Sequence, residues 1–231
     1  MFKVTTIMKR KPGMTVDAFQ SYWRDTHADL AASLPGLRRC VQSHALPQGY
    51  RKGDLPCDGI SELWFDTRED WEQAMASRQG QAMQADLTEF TAPGAAIVMP
   101  VDVHVIVDGP IPEGAVKNIE LVNCRPGMAL DDFRAYWKNV HGPLAAGITA
   151  IRRYEQNHLA RAEYTGARQP ALDGLAITWF DSTNAMKQGA TTPVYATTRA
   201  DEANFLPDGH LPFIITVEHE IVPAMRRQTE R

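Results

Sequence analysis

Residues 12–44 read PGMTVDAFQSYWRDTHADLAASLPGLRRCVQSH, and residues 126–158 read PGMALDDFRAYWKNVHGPLAAGITAIRRYEQNH. Laid over one another at an offset of 114, the stretches agree at 15 of 33 positions, where unrelated sequence gives roughly two. Agreement resumes at an offset of 115, with Trp64-Phe65-Asp66 against Trp179-Phe180-Asp181 and His104 against His219. A period this long is no solenoid unit; it is a small domain copied once. The copies are expected at residues 1–107 and 117–231. Residues 108–116 form the linker, because Gly109, Pro110, Pro112 and Gly114 crowd the stretch between Val107 and Asn118. The polar last six residues, 226–231, are expected to fray.

Each copy reads as strand, helix, strand, strand, helix, strand. In the first copy a strand near Phe2–Lys9 precedes a turn at Pro12-Gly13. Val16, Phe19 and Trp23 then recur at helical spacing, which predicts a helix to about Asp25. Strands follow at Leu37–Leu46 and Ile60–Phe65. Asp66 with Glu69 has capping-box spacing for a second helix reaching about Phe90, and β-branched Ala96–Val107 closes the domain. The second copy repeats the order with a weaker second helix that contains Pro193. The order β-α-β-β-α-β predicts an α+β class, ferredoxin-like, with helices on one sheet face. The bare face asks for a partner, and a covalent duplicate supplies one, so the expected architecture is two domains packed sheet to sheet as a pseudo-twofold barrel.

The chain has 231 residues, 44% hydrophobic and 23% charged, and a net charge of −4. It carries no basic run, which argues against a nucleic-acid or anionic-lipid partner. Cys40, Cys57 and Cys124 are widely spaced and read as free thiols of a reducing compartment. Met1–Gly13 lacks the apolar core of a secretion signal, and no stretch reaches the roughly 20 apolar residues of a membrane span. A soluble cytoplasmic protein is expected. There is no glycine-rich phosphate loop, no H-E-x-x-H, no G-x-S-x-G and no carboxylate cluster at ligand spacing, so no metal and no cofactor is the default.

The candidate site residues are those repeated in both copies. Strand alternation puts Arg38, Cys40, Gln42 and His44 on one face, matched by Arg152, Tyr154, Gln156 and His158. A solvated edge would explain such a face; if it looks into a barrel, it supplies hydrogen bonds to a buried polar ligand. His27 and His141, just past the first helix, are acid–base candidates, against the plain reading of imidazoles on the last helical carbonyls. Trp23 and Trp137 read as core, while Tyr22 and Tyr136 have hydroxyls to offer a pocket. His104 and His219, among valines, read as packing residues.

These segments resemble the EthD family of the dimeric α+β barrel superfamily. The resemblance rests on Phe133-x-x-Tyr136-Trp137-x-x-x-His141-Gly142-Pro143-Leu144 and on Ile151-Arg152-Arg153-Tyr154-x-Gln156-Asn157-His158, with Asp173-Gly174 ahead of Trp179-Phe180-Asp181. Copy one matches through Tyr22-Trp23-x-x-x-His27 and Arg38-Arg39-Cys40-x-Gln42-Ser43-His44, but has Ala28-Asp29 after its histidine and Cys40 in place of the usual tyrosine. The second copy is therefore the better candidate for a family-like activity, with the first altered or structural; alternatively, Asp29 raises the pKa of His27 and creates a different site there. The resemblance implies a small-molecule ligand and leaves the reaction open. The leading reading is a cofactor-independent lyase or isomerase, dehydratase- or cyclase-like, acting on a small oxygenated aromatic, lactone or polyketide-like metabolite. In it, catalytic His141, His27 and His158 work beside substrate-binding Arg152, Gln156, Tyr154, Tyr136, His44, Arg38, Gln42 and Tyr22. A non-catalytic small-molecule binder or accessory protein of a catabolic or biosynthetic operon is the alternative, and a haem-binding branch of the superfamily the third. A homodimer of the already duplicated chain is a further expectation.

Overall fold

A computed structural model of the chain describes residues 1–165 and 169–224. The tail at 226–231 lies outside the described residues. Copy one runs β1 (Phe2–Met8), α1 (Val16–Tyr22), a π-helical turn (Trp23–His27), α2 (Ala28–Ala32), β2 (Arg39–Ala45) and β3 (Gly59–Phe65). It continues through α3 (Arg68–Ala76) and α4 (Arg78–Phe90) to β4 (Ile97–Asp108). Copy two repeats this as β5 (Val116–Val122), α5 (Leu130–Tyr136), a π-helical turn (Trp137–His141), α6 (Gly142–Ala146), β6 (Arg153–Leu159) and β7 (Gly174–Phe180). It ends with α7 (Thr183–Gly189), α8 (Pro193–Asp201) and β8 (Phe213–Val222). The strand order β1-β3-β2-β8-β5-β7-β6-β4 is that of a closed antiparallel barrel, so the class is α+β. Among the described residues no helix is long and apolar enough to cross a membrane.

The chain divides into two compact units. One holds Met1–Pro100 with the stretch from Glu218 onward; the other is Val101–Val217. In the first, β3 pairs with β1 and β2, Ile7 facing Ile60 and Gln42 facing Ser61. In the second, β7 pairs with β5 and β6, and the outer half of β4 pairs with β6, with a bulge between Val105 and Val107. Each unit packs its helices on the sheet through a buried phenylalanine–tryptophan pair, Phe19 with Trp23 and Phe133 with Trp137. Those indoles lie so close to the third strand of each copy that a Cβ at Gly59 would sit 2.3 Å from Trp23, and one at Gly174 2.7 Å from Trp137. This is the physical content of the Asp-Gly that precedes each Trp-Phe-Asp: the glycine makes room for the ring. The buried aspartates Asp58 and Asp173 hold the neighbouring loops through Tyr50 and Tyr164, at 2.7 and 2.8 Å.

Three local expectations are corrected. The first helix does not stop at Asp25. Its chain makes one wide turn, in which the N–H of Ala28 bonds to Trp23 O, then continues as α2. The extra residue shifts the buried face by one position, from Phe19 and Trp23 to Ala28 and Ala31, a phase change that a fixed 3.6-residue period cannot see. The capping box begins one residue later than expected, at Thr67 with Asp70, because Arg38 takes the Asp66 carboxylate. The second helix of each copy is two helices. Ser77 caps α4, and Pro193 opens α8 at its first turn, where a missing N–H costs nothing.

Candidate functional site

In the second unit, the wide turn ends on His141, and α8 ends on Asp201. His141 Nδ1 lies 3.0 Å from Asp201 Oδ2, while Asp201 Oδ1 accepts from Tyr136 Oη at 2.7 Å and Asn204 Nδ2 at 3.0 Å. Burial works against ionisation of Asp201, but the hydrogen bonds from Tyr136, His141 and Asn204 outweigh it and hold the carboxyl below its ordinary range. An ionised carboxylate only accepts, so Nδ1 is the protonated nitrogen of His141 and Nε2 carries the lone pair. Burial, against the pull of Asp201, lowers the pKa of His141, which keeps the imidazole neutral at neutral pH. The ring packs at a tilt on Phe205, 4.7 Å between centroids.

His141 lines a cavity of about 390 Å³. Its apolar walls include Ala145, Ile148, Ile151, Phe180 and Met186; its polar groups include Asn118, Glu120, Tyr154, Lys187, Arg199, Glu202 and His210. Arg199 Nη1 lies 2.7 Å from Glu202 and 3.7 Å from Glu120, and its Nη2 donates to His210 Nδ1 at 2.6 Å. Two carboxyls thus share one guanidinium. Burial, reinforced by Glu120, pushes Glu202 up to about 7, and burial also raises Glu120. A group poised there is part acid and part base at neutral pH. The Tyr154 hydroxyl oxygen accepts from Trp137 Nε1 at 3.3 Å and Gln156 Nε2 at 3.1 Å, which leaves its own proton to give to a ligand. Burial raises the pKa of this phenol, so it stays protonated.

The first unit carries the same dyad in different surroundings. His27 Nδ1 lies 2.7 Å from Asp86 Oδ2, and Tyr22 Oη donates to Asp86 Oδ1 at 2.7 Å, which pushes Tyr22 up to about 12. His27 lines a cavity of about 280 Å³ whose walls are mostly apolar. The carboxylate that reaches His27 is Asp86, not Asp29, and burial outweighs it, so the imidazole pKa is lowered where a rise was expected.

The other sequence candidates fall into two groups. Gln42 and Gln156 donate from Nε2 to Trp23 O and Trp137 O, at 2.9 and 2.8 Å, pinning the carbonyl that the wide turn uses. His44 and His158 lie flat under Trp23 and Trp137, centroids 4.4 and 4.2 Å apart, each held by its neighbouring glutamine. The shared face of β2 and β6 therefore meets the helices, and its Gln and His groups line neither cavity. Burial lowers His44 to about 3 and His158 to about 2, helped by His219 and His104, which meet them edge-on. Arg38 and Arg152 point outward to Asp66 and Asp181, each with Nε at 2.8 Å. Tyr154 lines the cavity directly; Tyr22 and Tyr136 act on the aspartates behind the histidines. Among the described residues no three His, Cys, Asp or Glu groups are placed to hold a metal ion.

Sequence reasoning did not single out Asp86 and Asp201, nor Glu120, Arg199 and Glu202. The aspartates had a visible signal, since they are separated by the same offset of 115 that relates the two Trp-Phe-Asp motifs. The other three have none, because their counterparts are Thr6, Gln84 and Leu87.

Comparison with known proteins agrees with the repeat. The profile of the EthD domain matches twice, at residues 11–94 and 125–208. No curated protein matches the chain. Of the solved structures, an anthrone oxidase-like protein superposes with a TM-score of 0.64 at 12% identity, over 97% of this chain and 94% of its own. A monooxygenase candidate from Lactobacillus acidophilus gives 0.55 at 12% identity, over 94% and 92%. A chlorite dismutase candidate gives 0.53 at 11%, over 94% and 95%. At these identities the likeness is one of fold.

Proposed function

The chain belongs to the EthD family through a match in each half, and from that premise we propose that its second copy is an acid–base catalyst acting on a small, largely apolar molecule that carries a carbonyl. The observation that carries this reading is the His141–Asp201 pair with its basic Nε2 on a cavity of about 390 Å³. His141 Nε2 takes a proton from carbon next to the carbonyl. The Tyr154 hydroxyl and Arg199 stabilise the oxygen on which charge develops. The proton held by Glu202 returns to another carbon for isomerisation, or leaves with a β-hydroxyl as water for dehydration. Asp201, fixed by Tyr136 and Asn204, keeps Nδ1 protonated and the ring oriented, a positioning role. This is the lyase or isomerase reading with its residues revised: His141 and Tyr154 are kept, and Arg199 and Glu202 join them in place of Arg152, Gln156 and His158.

Hydrogen exchange tests it without a known substrate. 1-Tetralone, a bicyclic aryl ketone, is incubated in D₂O and its α-protons followed by NMR. Wild type is expected to accelerate exchange, and His141→Ala to lose about 10²-fold or more of that acceleration. Acceleration that survives His141→Ala would sink the proposal. Binding of the ketone without acceleration would favour the non-catalytic carrier instead.

A further inference from the structure

The first copy keeps the histidine–aspartate–tyrosine trio but not what surrounds it in the second. Five polar groups of the second cavity have apolar or neutral counterparts: Asn118 becomes Val4, Glu120 becomes Thr6, Tyr154 becomes Cys40, Arg199 becomes Gln84 and Glu202 becomes Leu87. Among the described residues lining the first cavity there is neither a carboxylate nor a basic side chain other than His27. Gln84 is occupied, its Nε2 donating to Met75 O and Gly80 O, both at 3.1 Å. The cavity therefore has no charged side chain with which to stabilise a charge that develops on an oxygen. Its polar lining is His27, the hydroxyls of Thr6 and Ser61, the Gln84 amide and the Trp71 indole. His27 Nδ1 is committed to Asp86, so Nε2 of the neutral ring accepts and cannot donate.

We infer that the first copy is a separate binding site for a fused-ring aromatic molecule bearing a hydroxyl, held by an O–H to His27 Nε2 hydrogen bond and packed among Trp71, Met75, Met83 and Leu63. The size follows from the volume: about 280 Å³ is nearly twice the roughly 150 Å³ that suffices for benzene. The ring follows from the walls, since methionine sulfur and an indole both favour aromatic contacts. The hydroxyl follows from His27 Nε2, which can accept and cannot donate. Binding here involves no bond-making and goes beyond the proposed catalysis in the second copy.

The experiment titrates the full chain, labelled at its methionine methyls with ¹³C, with 2-naphthol and with naphthalene. Met75 and Met83 report the first cavity and Met186 the second, each assigned by substitution with leucine. The Met75 and Met83 methyls are expected to shift saturably, with 2-naphthol binding about tenfold tighter than naphthalene, the value of one good hydrogen bond. His27→Leu should abolish that preference while naphthalene still binds. Val98→Trp, at a half-exposed position on the rim, should abolish both responses without disturbing the core. The response should persist in His141→Ala, which separates it from the catalytic reading. Unshifted Met75 and Met83 methyls, or a hydroxyl preference that survives His27→Leu, would overturn the inference.

Discussion

The two copies share their scaffold to the level of single atoms and differ in what they present to a ligand. His27 and His141 are both neutral, buried and paired through Nδ1 with an aspartate that a tyrosine also holds. Beyond that trio the copies part. The second places a phenol, a guanidinium and two raised carboxyls around its imidazole, and the first places methionine, leucine and tryptophan there. A base needs a partner for the charge it creates; a base without one is a hydrogen-bond acceptor. On the two proposals the same dyad serves reaction in one copy and recognition in the other, and the substitutions that distinguish them are among the residues lining the cavities.

The largest expected effect breaks the comparison at Tyr154. Removing one preorganised donor to a developing oxyanion costs about 10²–10³ in rate, so Tyr154→Phe should lose that much 1-tetralone exchange while Met186 still reports ketone binding. Next is pH. Exchange should rise as pH climbs through the lowered pKa of His141 and frees its Nε2, and fall as Glu202 loses its proton near 7. Glu202→Gln should remove the alkaline limb and keep the acid one.

Smaller effects test the shared scaffold. Gly174→Ala and Gly59→Ala each drive a methyl into an indole and should each lower stability by about 1–3 kcal/mol, read by urea unfolding. The stacked histidines predict acid sensitivity in both copies. Their folded pKa values, about 3 for His44 and about 2 for His158, lie below the ordinary 6.5. The unfolded chain binds the extra proton, so their contribution is complete above pH 6.5 and falls as pH drops below it. The loss is about 1.4 kcal/mol per histidine per pH unit in that window. His158→Gln and His44→Gln should each flatten the dependence measured between pH 7 and 5. Smallest of all, Arg152→Ala removes an exposed ion pair and should leave the unfolding midpoint where it was.

The fold was legible because duplication doubled the signal. Fifteen coincidences in 33 positions established the domain, and period and turn chemistry its elements. The site was legible only where it repeats. His27 and His141 stood out, and Tyr154 did so through its strand. Gln42, Gln156, His44 and His158 repeat just as faithfully, yet they serve the wide turn and the indole above it, because retention marks physical constraint whether its source is packing or chemistry. Glu120, Arg199 and Glu202 left no trace for the opposite reason: they differ between the copies, and from one sequence a functional difference looks like drift.

The wide turn carries a chronology. A π turn is one residue more than an α-helix needs, and it is held open at the same place in both copies, ending on a histidine and clamped by a glutamine on the same carbonyl. Two independent insertions, each with its own clamp, are far less economical than one inherited twice. The insertion is therefore older than the duplication. The ancestor was a single domain of half this length that already turned its histidine inward, and the difference between the charged wall of one cavity and the greasy wall of the other arose after there were two histidines to spare.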